Sequence, residues 1–317
     1  MAAEPLVILV ADHHPDDLAA RVEAAAPGSR LIVASKVESA HESLRDAHVI
    51  AGHLPAERFA AARSLRWQHS WLAGAGDVLH PALAASDVVL TSSAGNGGIP
   101  LAEHAMLLML MLDRDVPRWM RAQRAHEWDP YRHRELAGST LGIIGLGNAG
   151  ADLALKARAF HMRVVGMRRR PELDVAGVDE IFAPDQLLAF LADCDYVVIT
   201  APSTPETRGL INRDALAAMK DTAALVVVSR GGIVDDDALL EALSTGRLRA
   251  AGLDAHGVEP LPADSPFWDL PNVIVTPHNG ATTPGTLVRQ GEIFFDNLAR
   301  FVRGDDLMNV VVADRGY

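Results

Sequence analysis

Leu141-Gly142-Ile143-Ile144-Gly145-Leu146-Gly147-Asn148-Ala149-Gly150 is the stretch that decides the fold. An apolar, β-type run leads into a Gly-x-Gly-x-x-Gly turn, and the turn opens into a helical segment over 151–160. In that setting the glycines have separate jobs. Gly145 permits the tight turn, Gly147 lets a pyrophosphate approach the backbone, and Gly150 lets the helix pack closely on the strand. The first N–H groups of the helix and its positive end then face the phosphates. Gly145, Gly147, Asn148, Ala149 and Gly150 are therefore candidate cofactor-binding residues of a Rossmann-type unit. The other reading is a tight βα turn in a different doubly wound sheet.

Outward from this turn the chain keeps the same rhythm. Downstream, 163–167, 196–200, 224–228, 250–253 and 273–275 read as strands. Upstream, 6–11, 30–34, 49–52, 65–68 and 88–91 read as strands, with 16–26, 38–46 and 56–64 as helices between them. Short strands with helical crossovers mean parallel sheets. The upstream unit has Asp12-His13-His14-Pro15 after its first strand, where a phosphate-binding glycine loop would stand. It is expected to be an α/β domain without a nucleotide site of its own. Asp235 is a plausible N-cap for the helix after Val234, with Asp236 and Asp237 suiting its positive end and Gly246 able to stop it. That aspartate run reads as a helix start rather than a metal site.

At 317 residues, two domains are the default. The net charge of −12 argues against a nucleic-acid surface and leaves any anionic ligand to a few local arginines. The single cysteine, Cys194, excludes an internal disulfide and suits a reducing cytoplasm. No basic n-region opens the chain, so a secretory leader is not expected, and its longest apolar run, 105–112, is too short to span a membrane. The stretch 101–112 is apolar almost all the way round. Such a helix must be covered on several sides, which predicts a crossing between domains and a symmetric homodimer. A second long helix, 286–303, could return the chain to the first domain.

Three segments fall at the C-terminal ends of predicted strands, where open parallel sheets hold ligands. They are Ser229-Arg230-Gly231-Gly232, Asp254-Ala255-His256-Gly257-Val258-Glu259-Pro260 and Thr276-Pro277-His278-Asn279-Gly280. An arginine, a carboxylate and a histidine are the types that reduction of a 2-oxo acid needs. The arginine's planar fork grips the carboxylate. The histidine protonates the developing alkoxide, and the carboxylate holds the imidazole and favours its charged form.

With these residues the chain resembles the D-isomer-specific 2-hydroxyacid dehydrogenases. The matching stretches are the Gly145 loop, Thr-Pro-Glu-Thr-Arg-Gly-Leu-Ile at 204–211, Ser-Arg-Gly-Gly-Ile-Val-Asp-Asp-Asp-Ala-Leu at 229–239, Glu-Pro-Leu-Pro at 259–262, and the run from Pro271 to Thr283. The likeness is specific from about Val88 onward and looser upstream, as at 70–76. The resemblance implies Arg230, Glu259 and His278 as the catalytic set. It implies two doubly wound parallel-sheet α/β domains with a cleft between them: a flavodoxin-like substrate domain from 1–98 plus 287–317, and a Rossmann cofactor domain from 99–286. It also places Ala201, Pro202 and Thr207 along the cofactor, with Val228, Ser229, Arg230, His278 and Gly280, and puts Asp254 near the nicotinamide carboxamide. Asp254 could instead be a satisfied structural aspartate.

Asn148 stands where the family often has arginine, and Asn279 where it often has isoleucine. Glu259 weighs against formate oxidation, for which the family uses glutamine. His256 reads as a packing or surface histidine, with contact to cofactor or substrate as the other possibility.

NAD enzymes place an acid about twenty residues past the glycine loop, on the ribose hydroxyls. Here that position is Arg168, followed by Arg169 and Arg170. Arginines pair with a 2′-phosphate that an acid would repel, so NADP(H) is expected to be preferred, with NAD(H) possible. A solvated basic turn with dual cofactor use is the alternative. For the substrate, the resemblance implies backbone N–H groups from the loop at Gly52–His53 and from Leu72-Ala73-Gly74-Ala75-Gly76, with Ala73, Gly74 and Ala75 central; an ordinary flexible turn is the other reading of the latter. Trp128 could reach a neighbouring subunit's pocket or be interface packing. The expected partner is thus a small 2-oxo or 2-hydroxy acid, with no nucleic acid and no membrane. The rival function is a corepressor-like protein that senses nicotinamide nucleotides without turnover.

Overall fold

The computed structural model describes residues 5–12, 14–40, 43–74, 76 and 78–312. The chain divides into two compact units, one reaching to Gly97 and resuming at Thr283, the other Gly98–Thr282.

In the first unit β1 (Val7–Ala11), β2 (Arg30–Ala34), β3 (Val49–Ala51), β4 (Trp67–Ser70) and β5 (Val89–Ser92) form one sheet in the order β2-β1-β3-β4-β5. All its pairings are parallel. This is the flavodoxin-like order. β1, β3 and β4 are buried throughout, as expected where helices cover both faces of a parallel sheet. The helices α1 (Leu18–Ala25), α2 (Ala56–Phe59) and α3 (Pro81–Ala84) are short. The C-terminal helix (Pro284–Arg303) completes the core. Its Phe294 stacks on Trp67 at 5.6 Å and meets Trp71 edge-on at 5.1 Å. His69 sits among these rings, bonded to Thr91 Oγ1 at 2.8 Å and Ser93 Oγ at 3.1 Å. Burial lowers its pKa to about 3, so it stays neutral.

Two helices expected here differ. Over 38–46 there is a 3-10 turn, Val37–Ser39, then isolated turns in which Ala40 O accepts from Ser43 and Leu44; His41 and Glu42 lie outside the described residues. Buried Val37 and Leu44 hold the segment, while the Ser35 and Ser39 hydroxyls bond each other at 3.3 Å, a local alternative to helix. The helix expected over 56–64 stops at Phe59. There the chain tightens into turns that deliver buried Ala62 and Leu65 to the core before β4.

In the second unit come α4 (Gly98–Asp113), α5 (Val116–Ala125), β6 (Thr140–Ile144), α6 (Asn148–Ala159), β7 (Arg163–Met167), β8 (Glu180–Phe182), α7 (Leu187–Asp193), β9 (Tyr196–Ile199), α8 (Arg213–Ala218), β10 (Ala224–Val227), α9 (Asp236–Ser244), β11 (Ala250–Leu253) and β12 (Val273–Val275). The seven-stranded sheet runs β12-β11-β10-β9-β6-β7-β8, all parallel. The order reverses between β6 and β9, which makes their C-terminal ends the topological switch point. β8 is an edge strand the sequence reading did not include. Three residues with Glu180 leading and only partial burial give no period-2 signal to detect.

α9 begins as expected, with Asp235 Oδ1 accepting the Ala238 N–H at 3.0 Å. α4 buries Ala102, Ala105, Met106, Leu108 and Met109, and ends on Asp113, which accepts a bond from the buried Tyr196 hydroxyl at 2.6 Å. Cys194 is fully buried and its thiol, which burial pushes up to about 12, donates to Phe190 O. Among the described residues, no helix is long and apolar enough to cross a membrane.

Candidate active site

The glycine loop stands at the switch point. Gly145 adopts φ +100°, and a Cβ there would lie 2.6 Å from the Ala201 amide nitrogen across the β6–β9 junction. A Cβ on Gly150 would lie 2.1 Å from the Gly145 carbonyl oxygen, so α6 starts against the turn as closely as a glycine allows. Thr200 Oγ1 donates to that same carbonyl at 2.5 Å. Gly147 is the N-cap of α6 and has no side-chain cap; the space where its Cβ would be is open. The N–H groups of Asn148, Ala149 and Gly150 are the ones a helix leaves without intrahelical partners. They suit a pyrophosphate, and the open side of Gly147 suits its approach.

Other features at this edge also fit a dinucleotide. Ser229, following Val228 at the end of β10, is buried, and its hydroxyl has no hydrogen-bond partner among the described residues. An orphaned buried hydroxyl is uncommon and marks a place where a bound group or water completes the bonding. Arg168 follows β7 half-buried, its guanidinium 3.4 Å from Leu173 O, and Arg169 beside it is exposed. Ala201 is buried and Pro202 exposed after β9. Thr207 is turned into its own loop: its hydroxyl donates to Pro202 O at 2.8 Å and accepts from the Thr204 amide at 2.8 Å. It fixes the shape of the 202–207 turn.

The structure joins His278 and Glu259 directly, with Nδ1 2.7 Å from Oε2. A carboxylate only accepts, so Nδ1 carries the proton, and Nε2 is left without a partner among the described residues. Glu259 Oε1 accepts the His256 amide at 2.8 Å. Partial burial pushes the Glu259 carboxyl up, but the His256 amide and the His278 ring outweigh it and hold the pKa below the ordinary glutamate value.

Arg230 is exposed, its Nη1 donating to Ser229 O at 2.7 Å, and it lines a small cavity together with His256. A Cβ on neighbouring Gly231 would lie 1.7 Å from the His256 carbonyl, so the Arg230 loop and the Glu259 loop touch backbone to backbone. Arg230 thus meets the His278–Glu259 pair through the His256 segment, not by a hydrogen bond of its own.

Asp254 is fully buried and accepts from Thr276 Oγ1 at 2.6 Å, Asn279 N at 3.1 Å and Gly280 N at 3.0 Å, with His104 Nε2 3.4 Å away. Burial pushes its carboxyl up, yet these bonds hold it far below the usual aspartate range. His256, read from sequence as packing or surface, is buried and places Nε2 3.1 Å from Thr276 O. Sequence reasoning did not single out His104, or Thr276 within its segment, both of which the structure places against Asp254. The available signal was a histidine inside the otherwise apolar 101–112 helix, since a buried polar group requires a partner.

The depressed Asp254 pKa sets the sign of an acid effect. Its stabilisation is fully present above the unfolded aspartate value of about 3.9 and is lost as pH falls through the lower folded value. Asp254→Asn, which leaves one of the two loop amides unpaired, is expected to cost about 1–3 kcal/mol near neutrality. The gap between wild type and variant should narrow in urea melts taken at successively lower pH below about 4. A gap independent of pH would contradict this assignment.

In the first unit, Gly52–His53 follow β3 and Ala73–Gly74 follow β4, at strand ends where ligands bind in such sheets. The His53 amide is already taken by Asp12 Oδ2 at 2.8 Å and the Gly52 amide by His69 O at 3.0 Å, so neither backbone N–H expected here is left over for a ligand. Ala73 and Gly74 make no backbone N–H bond among the described residues, and Ala75 lies outside them. Trp128 in the second unit is 95% exposed.

Residues 106–280, more than half the chain, match the family model described as D-isomer specific 2-hydroxyacid dehydrogenase, NAD binding domain. A D-3-phosphoglycerate dehydrogenase of Methanocaldococcus jannaschii is 36% identical over 226 residues, covering 71% of this chain and 43% of that protein. The chain spans less than half the length of several such relatives. Glyoxylate/hydroxypyruvate reductase B of Pectobacterium atrosepticum is 38% identical over 219 residues, 67% of this chain and 68% of the relative. Among solved structures, the NADPH-dependent glyoxylate/hydroxypyruvate reductase of Sinorhizobium meliloti, in complex with NADP and sulfate, superposes with a TM-score of 0.84 at 30% identity, covering 99% of this chain and all of that one.

Proposed function

The chain belongs to the D-isomer specific 2-hydroxyacid dehydrogenase family, and we propose that within it the protein reduces a small 2-oxo acid to the D-2-hydroxy acid, with NADP(H) preferred over NAD(H). The observation that carries this reading is the His278–Glu259 bond at 2.7 Å, which leaves Nε2 of the imidazole open at the ligand edge of the sheet. Arg230 holds the substrate carboxylate through its planar fork and polarises the adjacent carbonyl. When bound, the reduced nicotinamide supplies hydride to the carbonyl carbon. His278, protonated on both nitrogens, gives its Nε2 proton to the carbonyl oxygen as that oxygen gains charge. Glu259 keeps Nδ1–H oriented and favours the imidazolium before transfer. One hydride on carbon and one proton on oxygen complete the 2-hydroxy acid.

Glyoxylate and hydroxypyruvate are the first substrates to test, since two relatives carry those names. The decisive assay follows NADPH oxidation with glyoxylate, hydroxypyruvate, phenylpyruvate and 2-oxoisocaproate, beside NADH, with D-3-phosphoglycerate oxidation as the competing activity. Turnover of at least one 2-oxo acid is expected. Tight NADPH binding with no turnover would replace the reading with a nucleotide sensor.

The arginines after β7 support the cofactor preference. Arg168→Ala with Arg169→Ala is expected to raise the KM for NADPH by about 10- to 100-fold, the weight of one charge-assisted pair or two, while the KM for NADH stays near wild type. Equal losses with both cofactors would remove the 2′-phosphate assignment. The same reading takes the protein as a cytoplasmic homodimer, supported by the free, buried Cys194 and by Trp119, Met120 and Trp128, all exposed within the span 119–128. Light scattering in solution tests the dimer.

A further inference from the structure

Thr276 is the point at which two histidines meet the loop carrying His278. Its hydroxyl lies 2.6 Å from Asp254 Oδ1 and 3.0 Å from His104 Nε2. The ionised carboxylate only accepts, so the Thr276 proton goes to Asp254, and the hydroxyl lone pairs are left for an N–H on His104 Nε2. Asp254 in turn accepts the amides of Asn279 and Gly280, the two residues after His278. Each bond between His104 and the loop thereby has a fixed direction, and donors from both sides converge on the Asp254 carboxylate. On the other side His256 Nε2 lies 3.1 Å from Thr276 O, and a carbonyl only accepts, so that nitrogen also carries a proton. The His256 amide donates to Glu259, which closes the frame around the catalytic pair.

The loop needs such a frame. His278 has φ +50°, a left-handed conformation that a residue with a Cβ keeps only where its surroundings over-determine it. His104 contributes by packing as well: a Cβ on Gly280 would lie 2.9 Å from His104 Cδ2. The histidine projects from α4, a helix whose neighbouring side chains are mostly apolar, and its side chain is only 13% exposed. Facing this chain of bonds are Asp254 on His104, Glu259 on His278, and Asp236 with Glu259 about His256.

We propose that His104 is a positioning residue for the proton donor: acting through Thr276 and Asp254, it holds residues 276–280 so that His278 meets Glu259 in register. This rests on the reading of His278 as the group that protonates the substrate.

The test compares His104→Phe, which fills the volume without a donor, His104→Gln, which returns an N–H near the place of Nε2, and His278→Ala. Each is assayed with NADPH and the 2-oxo acid turned over fastest, across roughly one unit either side of the wild-type pH optimum. His104→Phe is expected to lower kcat by about 10- to 100-fold, the scale of a misplaced catalytic group, with little change in the substrate KM. It should also displace the pH limb of kcat/KM that belongs to His278. His104→Gln should restore most of the rate and the limb. The proposal is overturned by wild-type kcat and pH behaviour in His104→Phe alongside an inactive His278→Ala, or by equal losses in the Phe and Gln variants. Full activity in His278→Ala would instead remove the functional reading beneath it. Should His104→Phe fail to fold, Thr276→Val deletes the central hydroxyl. It is expected to show the same kcat loss and displaced limb, and wild-type behaviour there overturns the proposal.

Discussion

Replacing His278 by alanine is expected to lower kcat for 2-oxo acid reduction by about 10²- to 10⁴-fold while NADPH affinity stays within a few-fold of wild type. The ring's Nδ1 is committed to Glu259 at 2.7 Å and its Nε2 is left open, so under the proposed function the side chain's main contribution is a proton. Without it the alkoxide must take its proton from water, and the barrier rises by the whole contribution of a placed general acid. Glu259→Gln is expected to fall short of that loss, since an amide oxygen still accepts from Nδ1–H but no longer offsets the imidazolium charge. Steady-state rates and a fluorescence titration with NADPH measure the two quantities separately. A His278→Ala enzyme retaining more than about a tenth of kcat would reassign the proton donor.

The second large effect concerns two glycines of one loop that differ in what surrounds them. At Gly150 an added Cβ would lie 2.1 Å from Gly145 O and 3.0 Å from Thr200 Oγ1. A backbone carbonyl in a turn has nowhere to go, so Gly150→Ala must push α6 off β6. It is expected to cost about 1–3 kcal/mol of stability, or more, with NADPH binding lost together with the displaced helix. At Gly147 no described residue beyond its immediate chain neighbours lies within 4 Å of the Cβ position. Gly147→Ala should therefore melt like wild type and yet bind NADPH at least about tenfold more weakly, because its methyl group occupies the pyrophosphate's approach. Thermal melts and binding titrations on both variants separate the two roles. Equal melting points for the pair, or undiminished NADPH binding by Gly147→Ala, would contradict the placement of the phosphates.

Much of this was legible in the sequence because the features are local. The glycine spacing, the Asp235 cap and the continuous apolar runs of buried parallel strands all announce themselves within ten residues. The three chemistry-bearing segments were likewise identifiable by their position after strands, and the structure bonds two of their members, Glu259 and His278, directly. What the sequence did not reveal depends on contacts between distant residues. His104 and Asp254 are 150 positions apart and meet only because α4 packs over the sheet. Around the expected helix 38–46, the Ser35–Ser39 hydroxyl bond and the burial of Val37 and Leu44 hold the described residues in a 3-10 turn and isolated turns instead. β8 is too short and too exposed to carry a pattern. The Thr207 hydroxyl could not be seen to spend its bonds inside its own turn, since Pro202 and Thr204 offer the same groups in any loop.

The placement of the C-terminal helix has a consequence for the order in which the chain is built. The second unit is one continuous segment, Gly98–Thr282, so all of its core leaves the ribosome before the helix beginning at Pro284 exists. The first unit is made first but lacks Phe294 and Leu298, both fully buried in its finished core against a cluster that includes Trp67 and Trp71. Until they arrive, the strands of the first unit lack the side chains that complete the core around Trp67 and Trp71, for the time needed to add nearly two hundred residues, on the order of ten seconds or more at typical elongation rates. The core of the second unit can therefore close while that of the first still waits for its last helix.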